Sequence, residues 1–344
     1  MARLSIPRLP SILEKIMPKR ICILGAGNMG TALAVMAAKN APVTLWSIEP
    51  DVVVTIGKKR ANPRYLPGVR LPKNIRATGN LAEALRGAAL VVLAVPSHIV
   101  PSLARAIAPL AGRGQYFLNA AKGVEEKTLR TMAEVLRDAL PTFARSRAGT
   151  MSGPSIANEF GRGLPCAVTV AAKNKKNAEA IAKFFRTDSF RVITSTDLRG
   201  TALGGTLKNI YALALGMVDG LGLGMNAKAA LLTAALNEMK ILLHTLGARP
   251  ESAYELSGIG DLIVTGMSAH SRNRRFGEAL CVDSDCRLKM RDPAQTIEGV
   301  KAVAALAPLA RKKKLKTPIL FEIEAALFKN KKPATALQKI FTTI

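Results

Sequence analysis

Acidic residues are scarce in this chain: 24 Asp and Glu stand against 50 Lys and Arg, a formal net charge of +26 over 344 residues. Aromatic residues are scarce as well, with one Trp and four Tyr. A chain this basic could bind nucleic acid, coat an anionic membrane or take anionic substrates. So few stacking side chains, and no RNP-like, finger-like or helix-turn-helix pattern, speak against nucleic acid. Lys and Arg are also scattered over the whole length, and the densest runs, at 311–314 and 329–332, adjoin apolar helical stretches. Most of the charge therefore reads as solvated surface. Long apolar runs are missing too. The best one, residues 203–223, is interrupted by Lys208, Asn209, Asp219 and several glycines, and a membrane span needs about 20 apolar residues. Stable membrane insertion is not expected. Four cysteines, Cys22, Cys166, Cys281 and Cys286, form no CxxC pair and no metal-ligand spacing. They read as reduced residues of a cytoplasmic protein that carries no metal.

The apolar content of 49% belongs to a folded chain, and its length suits two domains. Residues 1–18 hold Arg3, Arg8 and Lys15 against one acid, Glu14, and read as an N-terminal arm. Folded structure starts with Arg20-Ile21-Cys22-Ile23-Leu24, a short apolar strand. Gly25-Ala26-Gly27-Asn28-Met29-Gly30 follows at once, and then an Ala- and Leu-rich helical stretch. This is GxGxxG in the context it requires, strand before and helix after. The first glycine permits the turn and the second lets backbone N–H groups reach a pyrophosphate. The third lets helix pack on strand. Asn28 and Met29 then lie at a helix N-terminus, where the dipole favours phosphate.

A second strand, Val43-Thr44-Leu45-Trp46-Ser47, comes next, with Glu49 just past its end where a ribose-binding acid belongs. Further apolar strands are expected at 90–95, 116–119 and 166–171. Ligands lie beyond the carboxyl ends of such strands, and Val95-Pro96-Ser97-His98 and Ala120-Ala121-Lys122-Gly123 occupy two such ends, which places Lys122, after an apolar strand and before Gly123, in a site. Strand signals stop near Thr196, and helices are expected at 201–218, 227–246, 298–310 and 318–328. The fold class is α/β: a Rossmann-type, mainly parallel sheet over residues 19–196, followed by an all-helical domain over 197–344.

The second half carries distinctive blocks: Gly204-Gly205-Thr206-Leu207-Lys208-Asn209, Asp219-Gly220-Leu221-Gly222-Leu223-Gly224 and Gly258-Ile259-Gly260-Asp261-Leu262. Ser271-Arg272-Asn273-Arg274-Arg275-Phe276-Gly277 is a fourth, and Ser152-Gly153-Pro154-Ser155 and Glu298-Gly299 add two more. With the fingerprint, they run in order from residue 25 to 299 and resemble the bacterial-type NAD(P)-dependent glycerol-3-phosphate dehydrogenases. That resemblance implies interconversion of dihydroxyacetone phosphate and sn-glycerol 3-phosphate, and a role in glycerophospholipid synthesis. It assigns proton transfer to Lys208 and substrate contacts to Lys122, Gly153, Ser155, Lys208, Asp261, Ser271, Arg272 and Asn273. Cofactor contacts fall to Gly25, Gly27, Asn28, Met29, Gly30, Glu49, Lys122, Ala157, Arg272 and Glu298. A homodimer is the expected assembly.

The chemistry suits these residues. Ketone reduction needs a proton donor at the carbonyl oxygen, and a lysine desolvated among small residues gives up its proton more easily. Ser271 can cap a helix whose first turn holds Arg272 and Asn273, converging on a phosphate. The residues alone also fit a hydroxyacid or phosphogluconate-type dehydrogenase, or a non-catalytic nucleotide-binding protein. The 271–273 block speaks against the first and Lys208 against the second. Three departures from the family pattern stand at Ala121, at Ala234-Ala235 and at Gly266-Met267, each losing a polar or special group, which implies altered turnover. The cofactor is NAD or NADP. After Trp46 come Ser47, Ile48 and Glu49 with no positive charge, which favours NADH, while Lys58, Lys59 and Arg60 follow soon after and keep NADPH usable.

Overall fold

Parallel strands covered on both faces must be apolar along their whole length, and Ile21, Cys22, Ile23 and Leu24 are all fully buried. The structure, a computed structural model, describes residues 19–283, 286 and 297–344. Its strands are β1 (Arg20–Leu24), β2 (Val43–Trp46), β3 (Ala61–Asn62), β4 (Leu66–Arg70), β5 (Ile75–Thr78), β6 (Ala88–Leu93), β7 (Tyr116–Asn119), β8 (Ala148–Ser152), β9 (Cys166–Ala172) and β10 (Phe190–Ser195). Eight form one sheet in the order β10-β9-β8-β7-β6-β1-β2-β5, and β3 and β4 make a separate hairpin. Adjacent strands of the large sheet are parallel except β8 against β9. The topological crossover beside β1 puts the β1 and β6 loops side by side at the carboxyl edge, where such sheets hold ligands.

The expected parallel sheet with helices on both faces is present. Five strands had no expectation: β3, β4, β5, β8 and β10. β8 reads Ala-Gly-Thr-Met-Ser, small and half polar, yet all five residues are buried. β10 is an edge strand with alternate burial and little apolar run.

After β10 the described chain is helical. Helix Leu198–Gly220 is buried on every side, the pattern of a central helix, and six others surround it: Gly224–Thr245, Asp261–Met267, Arg272–Val282, Glu298–Lys312, Pro318–Phe328 and Pro333–Phe341. It begins three residues before the expected start because Asp197 caps it, accepting from the Gly200 N–H at 2.9 Å. Glu238 caps helix Pro318–Phe328 from outside, accepting from the N–H groups of Ile319 and Leu320 at 2.8 and 2.9 Å. Burial outweighs those donors and pushes its carboxyl from 4.5 up to about 8. A proton is then held in the folded state and lost in the unfolded state across that interval. The resulting stabilisation is complete below about pH 4.5 and disappears as pH rises to about 8. Glu238→Gln is expected to flatten this dependence, so that between mildly acidic and mildly alkaline pH the melting temperature of the native chain falls further than that of the variant. Parallel melting curves across that range would contradict it.

Candidate active site

The cleft of about 910 Å³ opens where the carboxyl edge of the sheet meets the helical part. Its floor is built from loops that the strands project. Gly27, Asn28 and Met29 follow β1; Ala94 to His98 follow β6; Ala120, Ala121 and Lys122 follow β7; Ser155, Ala157 and Asn158 come after β8. Its far wall comes from the helices, with Lys208, Asn209, Asp261, Thr265, Ser271, Arg272, Asn273 and Glu298.

The fingerprint glycines divide into two kinds. A Cβ on Gly30 would lie 1.9 Å from the Gly25 carbonyl oxygen, and one on Gly25 (φ +111°) 2.6 Å from that of Ala94. These two let helix and strands touch and stay behind the cleft. A Cβ on Gly27 would meet nothing within 4 Å. No side chain caps helix Asn28–Ala37, so the N–H groups of its first turn face open space at the cleft. An anionic pyrophosphate fits there.

Three charged groups form the centre. Asp261 is 1% exposed, and its Oδ1 lies 2.9 Å from Lys208 Nζ while its Oδ2 accepts from Lys122 Nζ. Ser152 donates to the same Oδ2 at 3.4 Å. Burial alone would raise the Asp261 carboxyl, but the two ammonium groups outweigh it and hold it below the ordinary carboxylate range. For Lys208 the balance is reversed. Burial dominates over the attraction of Asp261, Lys122 adds repulsion, and the amine falls from 10.5 to about 8.

Beside this cluster, Ser271 caps helix Arg272–Val282 by accepting from the Arg274 N–H at 3.2 Å, as the sequence led one to expect. Asn273 donates to Asn209 Oδ1 at 2.8 Å and accepts from the Gly299 N–H at 2.9 Å. It ties together the three helices that carry Lys208, Arg272 and Glu298. Arg275 is exposed, whereas Arg274 pairs with Asp219 at 2.6 Å. Glu298 accepts from the Ser97 hydroxyl at 2.9 and 3.1 Å, joining the β6 loop to the helical part.

Of the residues singled out in the sequence, Gly27, Asn28, Met29, Lys122, Ser155, Ala157, Lys208, Asp261, Ser271, Arg272, Asn273 and Glu298 line this one cleft. Gly25, Gly30 and Gly153 do not line it. Gly153 packs behind it, where a Cβ would come within 3.1 Å of Val168 Cα. Glu49 stands behind Tyr65, whose hydroxyl donates to both of its carboxylate oxygens at 3.0 and 2.9 Å. Sequence reading missed Thr265, which accepts from Lys208 Nζ. Its position one turn after Asp261 on the same helix was the available signal. It also missed Tyr65, in the β3–β4 turn without a motif, whereas Ser97 belongs to the 95–98 stretch expected at a strand end and does line the cleft. The departure at Gly266 has a packing reason: a Cβ there would lie 2.2 Å from Leu215 Cδ1. Ala121 lines the cleft and Ala235 is buried in the helical core.

A dinucleotide fingerprint opposed to a buried lysine–carboxylate pair defines a nicotinamide-dependent dehydrogenase. Two family models narrow that class. The model described as NAD-dependent glycerol-3-phosphate dehydrogenase N-terminus matches residues 20–178, and its C-terminus counterpart matches 197–338. The chain belongs to the NAD-dependent glycerol-3-phosphate dehydrogenase family. It is 44% identical over 316 residues to a glycerol-3-phosphate dehydrogenase [NAD(P)+] of Moorella thermoacetica, covering 92% of this chain and 93% of that one. It is 40% identical over 327 residues to the enzyme of that name from Pelotomaculum thermopropionicum, covering 95% and 94%. The crystal structure of a glycerol-3-phosphate dehydrogenase from Coxiella burnetii superposes with a TM-score of 0.85 at 34% identity, covering 94% of this chain and 98% of that one.

Proposed function

We propose that this chain interconverts dihydroxyacetone phosphate and sn-glycerol 3-phosphate, with Lys208 exchanging the proton at the substrate oxygen. The observation that carries the reading is the Lys122–Asp261–Lys208 cluster at the meeting of the fingerprint cleft and the Ser271-capped helix. The nicotinamide, when bound, supplies or accepts the hydride. Gly27, Asn28 and Met29 would hold the pyrophosphate, and Ala157 and Glu298 would flank the nicotinamide half. Asp261 holds the Lys208 amine toward the cleft and keeps it a usable acid. Lys122 would meet both substrate and cofactor. Ser271, Arg272 and Asn273 would receive the phosphate at the helix N-terminus, with Ser155 beside them and Gly153 shaping the loop.

Glu49 favours NADH at the ribose, and NADPH is also used. The partner is thus a small phosphorylated anion, which suits so basic a chain, and neither nucleic acid nor a membrane is needed. No helix among the described residues is long and apolar enough to cross a membrane. A cytoplasmic homodimer supplying glycerol 3-phosphate for phospholipid synthesis is the proposed setting.

Arg272→Ala tests the phosphate site. A charge-assisted hydrogen bond contributes about 1.5–3 kcal/mol, so KM for dihydroxyacetone phosphate should rise about 10-fold or more. KM for unphosphorylated dihydroxyacetone should move much less. Equal losses on the two ketones would assign Arg272 to structure or to the cofactor instead.

A further inference from the structure

The stretch after Trp46 has no cation, but the fold brings one there from the β3–β4 turn. Arg64 Nη1 lies 2.9 Å from Glu49 Oε1 and 3.4 Å from Asp51 Oδ2, and its guanidinium stacks over the Tyr65 ring at 5.4 Å. The turn is clamped to the fingerprint. Asn28 donates to the Tyr65 carbonyl at 2.6 Å, and Asn62 donates to the Ala26 carbonyl at 2.8 Å. Tyr65 lines the cleft. Arg64 is therefore held beside the end of β2, where the adenosine ribose of a dinucleotide lies. The other basic residues of this region are placed differently. Arg60 donates to the carbonyls of Pro72, Lys73 and Ile75, and Lys58 and Lys59 end helix Pro50–Lys59 on its exposed side.

We propose that Arg64 is the residue through which this enzyme admits NADPH, by exchanging its pairing with Glu49 for the 2′-phosphate of the cofactor. This rests on the dinucleotide reading of the cleft. With NADH bound, Arg64 stays on Glu49, whose carboxylate the Tyr65 hydroxyl also holds. With NADPH bound, the guanidinium turns to the phosphate, which it can meet with two parallel N–H groups. Its side chain is 58% exposed, so the turn costs little packing. Asp51 competes for the same guanidinium at longer range.

The test is direct binding to the full chain without substrate, by calorimetric titration with NADH and with NADPH. Arg64→Gln should raise the Kd for NADPH at least ~10-fold more than the Kd for NADH, as expected for losing a charged hydrogen bond. Arg64→Lys should recover part of the difference, and Glu49→Gln should tighten NADPH relative to NADH. Unchanged NADH affinity and melting temperature in Arg64→Gln establish that the fold is intact. A ratio of the two constants within ~2-fold of native in Arg64→Gln overturns the assignment of Arg64 alone. Failure of the native chain to bind either dinucleotide overturns the cofactor reading together with it.

Discussion

Lys208→Ala should lower kcat by at least ~10²-fold, the low end of what a general acid–base group contributes, with little change in dinucleotide Kd. Lys208 sits inside the buried helix Leu198–Gly220 with 5% of its surface exposed. Its amine lies between Asp261, Thr265 and the cleft. Water cannot easily replace it as proton donor there. Its amine at about 8 also fixes the sign of the pH dependence. Ketone reduction needs the protonated amine, so kcat in that direction should fall as pH rises through about 8. Alcohol oxidation needs the neutral amine and should rise through the same interval. An ordinary lysine would put both steps near 10.5. Profiles of kcat in both directions check this, and steps unchanged in Lys208→Ala would assign the titration to another group.

Asp261→Ala should be the most damaging single change to both stability and turnover. The carboxylate is fully enclosed and neutralises two lysines at once. Removing one partner of a buried ion pair costs about 3–5 kcal/mol, because the remaining charge is left uncompensated. Lys122, about one-fifth exposed, can turn partly to water, whereas Lys208 cannot. The loss should therefore fall on Lys208, whose amine drops further without the attraction that now raises it. The step in the reduction profile should move to lower pH, and kcat at neutral pH should fall ~10²-fold or more. Asp261→Asn, which keeps the shape, separates the two effects. It should recover some melting temperature without restoring the native pH step. A variant with a lowered melting temperature but a native pH profile would show that Asp261 supports the fold and not the acid.

Much of this site was legible in the sequence because its residues sit at positions that local chemistry marks. The glycine turn after β1, the lysine after β7, the lysine inside a glycine-rich helix and the Ser271 cap each carry a local signal. Thr265 stands one turn from Asp261 and Ser97 at the end of a strand, but their partners lie 57 and 201 residues away in sequence, so neither contact was legible there. Arg64 shows the same limit. The charge beside Glu49 comes through a hairpin of a few residues, β3 and β4, too short for a periodic pattern. β8 and β10 were invisible for related reasons, one being small and buried, the other an edge. Gly266 looked like a lost polar group and proves to be the space Leu215 fills.

The most direct measurement is the rate of cofactor oxidation by the native chain with dihydroxyacetone phosphate, dihydroxyacetone and an unphosphorylated 2-oxo acid, each with NADH and with NADPH. Rapid oxidation with dihydroxyacetone phosphate is expected, with kcat/KM at least ~10-fold above that for dihydroxyacetone, the share a charged phosphate contact supplies, and the product should be sn-glycerol 3-phosphate. A preference for the oxo acid, or equal rates with and without the phosphate, would contradict the assignment of Ser271, Arg272 and Asn273 and the reaction built on it.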